Sequence, residues 1–184
     1  MQILALSGSL RRDSHNTALA RAAARCAPES AEIELYDGLG DLPPYDADID
    51  GEDPPASVRD LRRRIAAADA LLVVTPEYNG SVPGVLKNAI DWASRPPEDA
   101  VLRGKTVAVA GATTGQYGAI WAQQDLRRIL GIAGARVIAG EIPVARAHEK
   151  FDEAGNLTDP LVLARLREQL STLVAEAAPV ALAA

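Results

Sequence analysis

Five short apolar runs, each followed by a segment whose apolar residues recur at helical spacing, constrain this chain more than any other feature. The runs are Ile3–Leu6, Ile33–Tyr36, Ala70–Thr75, Thr106–Ala110 and Arg136–Ala139. Short apolar runs bounded by turn formers read as strands, and strands alternating with helical patterns read as βαβ units of a parallel sheet. The third and fourth runs are continuously apolar, the pattern of central parallel strands covered on both faces.

The intervening segments each carry one buried stripe. In the first helix Leu19, Ala22, Ala23 and Cys26 fall at i, i+3, i+4 and i+7, with Arg21 and Arg25 outside. In the second, Val58, Leu61 and Ile65 mark the stripe, and Ser57 with Asp60 resembles a capping box. The third, after Pro83, buries Leu86, Ala89, Ile90 and Ala93; the fourth buries Leu126, Ile129, Leu130 and Ala133. The last, after Asp159-Pro160, uses Leu163, Leu166, Leu170 and Leu173. The expected architecture is an α/β three-layer sandwich of flavodoxin-like topology, with a five-stranded parallel sheet of order 2-1-3-4-5. Its 184 residues fit a single domain, residues 1–184. Two longer loops, Gly38–Pro55 and Ala145–Leu157, mark no domain boundary, and no repeat or low-complexity tract occurs beyond the Ala-rich carboxyl tail.

Charge and cysteine usage narrow the partners. Lys and Arg total 19 against 25 Asp and Glu, a net charge of −6, which argues against nucleic acid or an anionic membrane as the main partner. The single Cys26 excludes an internal disulfide and fits a reducing cytosol. The amino terminus enters a strand without a basic leader, and no apolar run approaches the ~20 residues of a membrane span. A cytoplasmic protein is expected.

In an open parallel sheet of this order, ligands bind outside the carboxyl ends of the strands, where the loops after strands one, three and four meet. The first loop, Ser7-Gly8-Ser9-Leu10-Arg11-Arg12-Asp13-Ser14-His15-Asn16, runs into a helix. A helix amino terminus supplies donors and partial positive charge to a phosphate, and this loop adds hydroxyls, an amide and a guanidinium. It contains neither the dinucleotide fingerprint Gly-x-Gly-x-x-Gly nor a Walker motif. The bland alternative is that Ser14 only caps the helix and the arginines are solvated. The second loop carries Pro76-Glu77-Tyr78-Asn79-Gly80. Its fixed turn, its aromatic face and its inward-turning amides suit the polar edge of a flat ring, where backbone donors stabilise negative charge. Here the alternative is a structural turn with Tyr78 packed sideways. The third loop, Gly111-Ala112-Thr113-Thr114-Gly115-Gln116-Tyr117-Gly118, lets backbone approach a planar ligand.

On these motifs the chain resembles the NAD(P)H-dependent FMN reductase family of flavodoxin-like proteins, including its chromate- and quinone-reducing and azoreductase-like members. The resemblance rests on Ser7-Gly8-Ser9-Leu10-Arg11-x-x-Ser14-x-Asn16, on Pro76 to Gly84, and on the helix Leu86-Lys87-Asn88-Ala89-Ile90-Asp91-Trp92. It implies that Ser9, Arg11, Ser14 and Asn16 hold the FMN phosphate, with His15 on the rim. It further implies that Pro76, Glu77, Tyr78, Asn79 and Gly80 border the ring, and that Thr113, Thr114 and Gly115 close its other side. FMN would then carry the chemistry, with no catalytic side chain, NADPH or NADH as co-substrate, and a small-molecule acceptor: a quinone, an azo compound, free flavin or a metal oxyanion such as chromate. One site used twice implies ping-pong kinetics. A flavodoxin-type electron carrier and a redox-inactive nucleotide-binding domain are the competing readings.

Other chemistry-bearing residues carry weaker signals. Cys26 lies on a buried stripe, and His148 sits in a charged loop as a solvated residue. No His, Cys or carboxylate cluster has metal-ligand spacing. The acidic segment around Asp46, Asp48, Asp50, Glu52 and Asp53 lacks the EF-hand register and reads as a solvated loop. Trp92 falls off the stripe of the third helix, and Trp121 lies nearly opposite that of the fourth. Crossover handedness puts these helices side by side on one face, so the two tryptophans predict a contact surface in a homodimer or tetramer.

Overall fold

The computed structural model describes residues 1–178; residues 179–184, the end of the Ala-rich tail, lie outside the described residues. Its strands are β1 (Gln2–Ser7), β2 (Glu32–Tyr36), β3 (Ala70–Thr75), β4 (Thr106–Ala112), β5 (Arg136–Val137) and β6 (Ile142–Val144). Between them run α1 (His15–Arg25), α2 (Ala56–Ala67), α3 (Gly84–Ala93), α4 (Ile120–Ile132) and α5 (Pro160–Ala177). The sheet order is β2-β1-β3-β4-β5, as expected, and every pairing is parallel.

Alternation along the strands divides the core into two layers. Ile3, Ala5, Leu72, Val74, Ala108 and Ala110 face the side covered by α1 and α5, where Leu19, Leu166, Leu170 and Leu173 are buried. Leu4, Leu6, Leu71, Val73, Val107 and Val109 face α2, α3 and α4 and meet Leu61, Leu86 and Leu126. β3 and β4 are buried along their whole length, which their continuous apolar sequence requires. Cys26 packs half-buried against the first layer, and burial pushes its thiol up, as for an inert core residue.

Three expectations change. The fifth run does not form one strand. It stops at Val137, and a further strand, β6, follows beyond the expected run; both pair with β4. The carbonyls freed at the break are taken by side chains: Arg127 donates to Ile138 O at 2.7 Å, and Gln169 donates to Ala139 O at 3.2 Å. Nor do Ser57 and Asp60 form a capping box. α2 starts at Ala56 with Pro55 as its cap, so Ser57 already lies inside the first turn, where its backbone is helical.

The third correction concerns the Gly38–Pro55 loop and Trp92 together. The loop packs down: Leu39 and Leu42 are buried, and Asp50, its side chain 6% exposed, pairs with Arg62 at 2.7 Å. Trp92 is 0% exposed. Its Nε1–H donates to Pro43 O at 2.8 Å, and Tyr45 meets it edge-on at 4.8 Å. Asn88 clamps the same segment, accepting from Tyr45 N at 2.8 Å and donating to Pro43 O at 2.9 Å. Arg62 closes the arrangement by donating to Trp92 O from Nε and Nη2, at 3.0 and 2.9 Å. α3 therefore has two buried faces, one toward the sheet and one toward this loop. Trp121 does lie at the surface, 48% exposed, against the ring of Tyr117.

Candidate functional site

The loops leaving β1, β3 and β4 converge at one end of the sheet because parallel strands all deliver their carboxyl ends to the same side. β1 is extended by Gly8, whose N–H reaches Val74 O at 2.8 Å. A Cβ on Gly8 would lie 3.0 Å from Leu86 and 3.3 Å from Pro76, so a side chain here would crowd α3 and the second loop. The loops enclose a pocket of about 150 Å³. Ser9, Arg11, Ser14, His15 and Asn16 line it from the first loop, and Pro76, Glu77 and Tyr78 from the second. Ala112, Thr113 and Thr114 complete it from the third.

Of the thirteen expected site residues, ten thus line one pocket; Asn79, Gly80 and Gly115 do not. Asn79 and Gly80 form the exposed tip of a tight turn, with φ of 53° and 76°. Tyr78 N donates to Ser81 O at 3.0 Å and Ser81 N to Tyr78 O at 3.2 Å. Positive φ at both central residues is the primed-turn geometry that Asn-Gly favours. Gly115 is turned toward the Ala145–Leu157 loop, its carbonyl accepting from Arg146 N at 2.8 Å.

The first loop's polar groups divide by availability. Ser14 caps α1, its Oγ accepting from Asn16 N at 3.2 Å and Thr17 N at 3.3 Å. Accepting leaves its own O–H hydrogen free to donate, so capping and ligand binding are compatible. Arg11 is exposed, with a 3.5 Å contact to Asp13 O. Asn16, 4% exposed, is committed: Nδ2 donates to Ala112 O and Oδ1 accepts from Ala112 N, both at 2.9 Å. It locks the first loop to the end of β4. His15 stacks against Phe151 with centroids 5.5 Å apart. Burial first, then the nearby Arg11 guanidinium and the His148 ring, lower its pKa below the ordinary histidine value.

Two contacts that no sequence pattern announces anchor the second loop to α4. Glu77 Oε2 accepts from Ala122 N at 3.1 Å, supplying a side-chain acceptor to a helix whose own cap residue, Ala119, has none. Ser81 Oγ donates to Asp125. That bond, with help from Arg128, holds the Asp125 carboxyl below the usual carboxylate range. A larger concavity of about 730 Å³ runs between α3 and α4, starting at Ser81 and Val82 of the second loop. Among its polar groups Lys87 pairs with Asp91 and Arg128 with Asp125, while Arg103 donates to a backbone carbonyl, that of Pro97.

Known proteins share this arrangement. The model of a family described as NADPH-dependent FMN reductase matches residues 1–149, which include all three loops. An NAD(P)H-dependent FMN reductase of Pseudomonas aeruginosa is 41% identical over 174 residues, spanning 94% of this chain and 93% of the relative. A quinone reductase of Escherichia coli is 41% identical over 174 residues, spanning 93% of this chain and 92% of the relative. Among solved structures, the flavoenzyme NAD(P)H:(acceptor) oxidoreductase FerB of Paracoccus denitrificans superposes with a TM-score of 0.84 at 36% identity, each chain covered to 96%. Relatives of matching length, at this identity and with the same fold, leave one assignment: the chain belongs to the NADPH-dependent FMN reductase family.

Proposed function

We propose that this chain is a single-domain, FMN-dependent NAD(P)H oxidoreductase of the cytoplasm. It reduces small acceptors (quinones, azo compounds, free flavin or metal oxyanions such as chromate) in ping-pong fashion. The observation that carries the reading is the three-loop pocket with its unspent donors. At about 150 Å³ it is small beside the 300–1,000 Å³ of a typical ligand site, so it suits the phosphate end of a nucleotide. The Arg11 guanidinium, the hydroxyls of Ser9 and Ser14 and the amino end of α1 would hold that phosphate. The ring would lie over the open surface beyond, against Pro76, Glu77 and Tyr78, with the N–H groups of Asn79 and Gly80 at its edge and Thr113 to Gly115 opposite. Bound FMN supplies hydride acceptance from the nicotinamide and electron delivery to the acceptor, so no side chain must act as acid or base. The relatives' names support its NAD(P)H, FMN and quinone parts.

The purified protein is expected to be yellow, and its flavin bands to bleach on adding NADPH without any partner protein. A colourless protein that fails to take up FMN would falsify the proposal, and a yellow one that NADPH does not bleach would favour an electron carrier. Arg11→Ala is expected to weaken FMN binding by about 1.5–3 kcal/mol, the worth of one charge-assisted contact. Fluorescence titration checks this, and unchanged affinity would count against the phosphate assignment.

The proposed assembly is a homodimer or tetramer joined through the α3–α4 groove. With Trp92 buried, the two-tryptophan surface no longer supports it. The support is now the groove itself, where Ile132 is 76% exposed beside Ile90 and Ile129. Each helix there presents both signs of charge, Lys87 and Asp91 on one and Asp125 and Arg128 on the other. Two copies related by a two-fold axis would match them. Ile132→Glu is expected to lower the light-scattering mass to that of the 19.4 kDa chain; a wild-type mass of 19.4 kDa at micromolar concentration would sink the idea.

A further inference from the structure

The chain has seven aromatic residues other than histidine, and three of them are exposed: Tyr78, Tyr117 and Trp121. The others are buried or half-buried. Tyr78 lines the candidate pocket, and Tyr117 and Trp121 stand where the third loop enters α4. Tyr78 belongs to the second loop, and Glu77 beside it is bonded to the N–H of Ala122, the residue after Trp121. The Ser81–Asp125 bond fastens the same turn to α4 one helical turn further on. Tyr117 closes the third loop, and its carbonyl accepts from Ile120 N at 3.2 Å. The rings of Tyr117 and Trp121 rest on each other with centroids 4.8 Å apart and planes at 53°.

Exposed aromatics placed this way have no role in the core. Each keeps a large apolar face in water, although burying such a face is favourable and aromatic pairs gain further from stacking. The Tyr117–Trp121 contact also limits both rotamers, so a ligand meeting this surface has less side-chain freedom to remove. A π-face set beside a redox site suits a flat conjugated substrate better than a spherical or chain-like one.

We infer that Tyr117 and Trp121 form a stacking wall that selects fused-ring planar acceptors, the naphthoquinone class, over compact or non-planar ones. This rests on the FMN-dependent reading above and deepens it by naming the acceptor class. Neither residue lines the small pocket assigned to the phosphate end. A fused two-ring quinone presents more area than a one-ring quinone to a wall made of an indole and a phenol, and it gains correspondingly more.

The test compares FMN-loaded wild type, Trp121→Ala and Trp121→Phe at saturating NADPH, with a naphthoquinone and with hexacyanoferrate(III), an octahedral acceptor without a flat face. Trp121→Ala is expected to raise KM for the naphthoquinone about 2- to 12-fold, the range of one lost aromatic contact, with kcat held. KM for hexacyanoferrate is expected to stay put, and Trp121→Phe to restore most of the naphthoquinone effect. A second readout needs no turnover. The emission of exposed Trp121, taken as the difference between wild type and Trp121→Phe, is expected to be quenched saturably by oxidised naphthoquinone without NADPH. Equal KM changes for both acceptors, or no change for either, would overturn the inference. So would a fall in light-scattering mass in Trp121→Ala with KM unaltered, which would make the pair a subunit contact. Should the wild type bind no FMN, the reading beneath fails separately, and the quench titration alone decides whether Trp121 receives the ring; absence of saturable quenching then overturns the inference as well.

Discussion

Trp92→Ala is expected to reduce the unfolding free energy by about 3–5 kcal/mol, the range for removing a fully buried aromatic. Trp92 fills the space between α3 and the Pro43–Tyr45 segment, and the loss combines the transfer of its rings with the cavity left behind. The lost hydrogen bond adds little, because Pro43 O keeps the Asn88 amide as a donor. For a chain of this size the thermal midpoint is expected to drop by about 6–20 °C. Denaturant unfolding with an unchanged m-value would check that the effect lies in stability. The oligomeric mass is expected to stay the same. A change in mass without a loss of stability would return Trp92 to the surface.

Asn16→Ala is expected to act on stability and on the site together. It leaves the C=O of Ala112, a residue 2% exposed, without its donor, at about 1–3 kcal/mol for that orphaned group. It also unfastens the first loop from β4, so the donors of Ser9 and Arg11 lose their fixed relation to the third loop. A further loss of about tenfold in FMN affinity is expected, equivalent to about 1.4 kcal/mol. Asn16→Asp separates the two roles. Its carboxylate can still accept from Ala112 N but faces the Ala112 carbonyl without a proton to offer, so it should fail on the same stability assay. If both variants unfold like wild type, the clamp is not the link between the loops.

The sheet order and the two-layer core were legible because parallel strands buried on both faces write themselves as unbroken apolar runs, as Ala70–Thr75 does. The three loops were legible because strand order alone decides where carboxyl ends meet, and ten of the proposed residues do line one pocket. The misreadings share a cause. Trp92 was placed on the surface because one stripe was taken as the whole buried side of α3. A second buried face arises because the Pro43–Tyr45 segment packs on α3. Long-range bonds such as Asn88 to Tyr45 and Arg62 to Asp50 join positions 43 and 12 residues apart, and no periodicity records them. Glu77 on α4 and Asn16 on Ala112 escaped for the same reason: a side chain that bonds to backbone leaves no pattern in the partner's identity. The break after Val137 depends likewise on Arg127 and Gln169, which belong to other elements.

That break has a consequence for how the molecule meets others. A long, straight border strand would offer a row of unsatisfied amides to any passing extended chain, the route to runaway strand-by-strand growth. Here the outer border beside β4 is cut into pieces of two and three residues, and the second contains Pro143, which has no N–H to give. Neither piece is long enough to template another strand. The molecule is thereby guarded against aggregation along that border, and any ordered self-association there must run through helices, whose side chains can specify a partner and a stoichiometry.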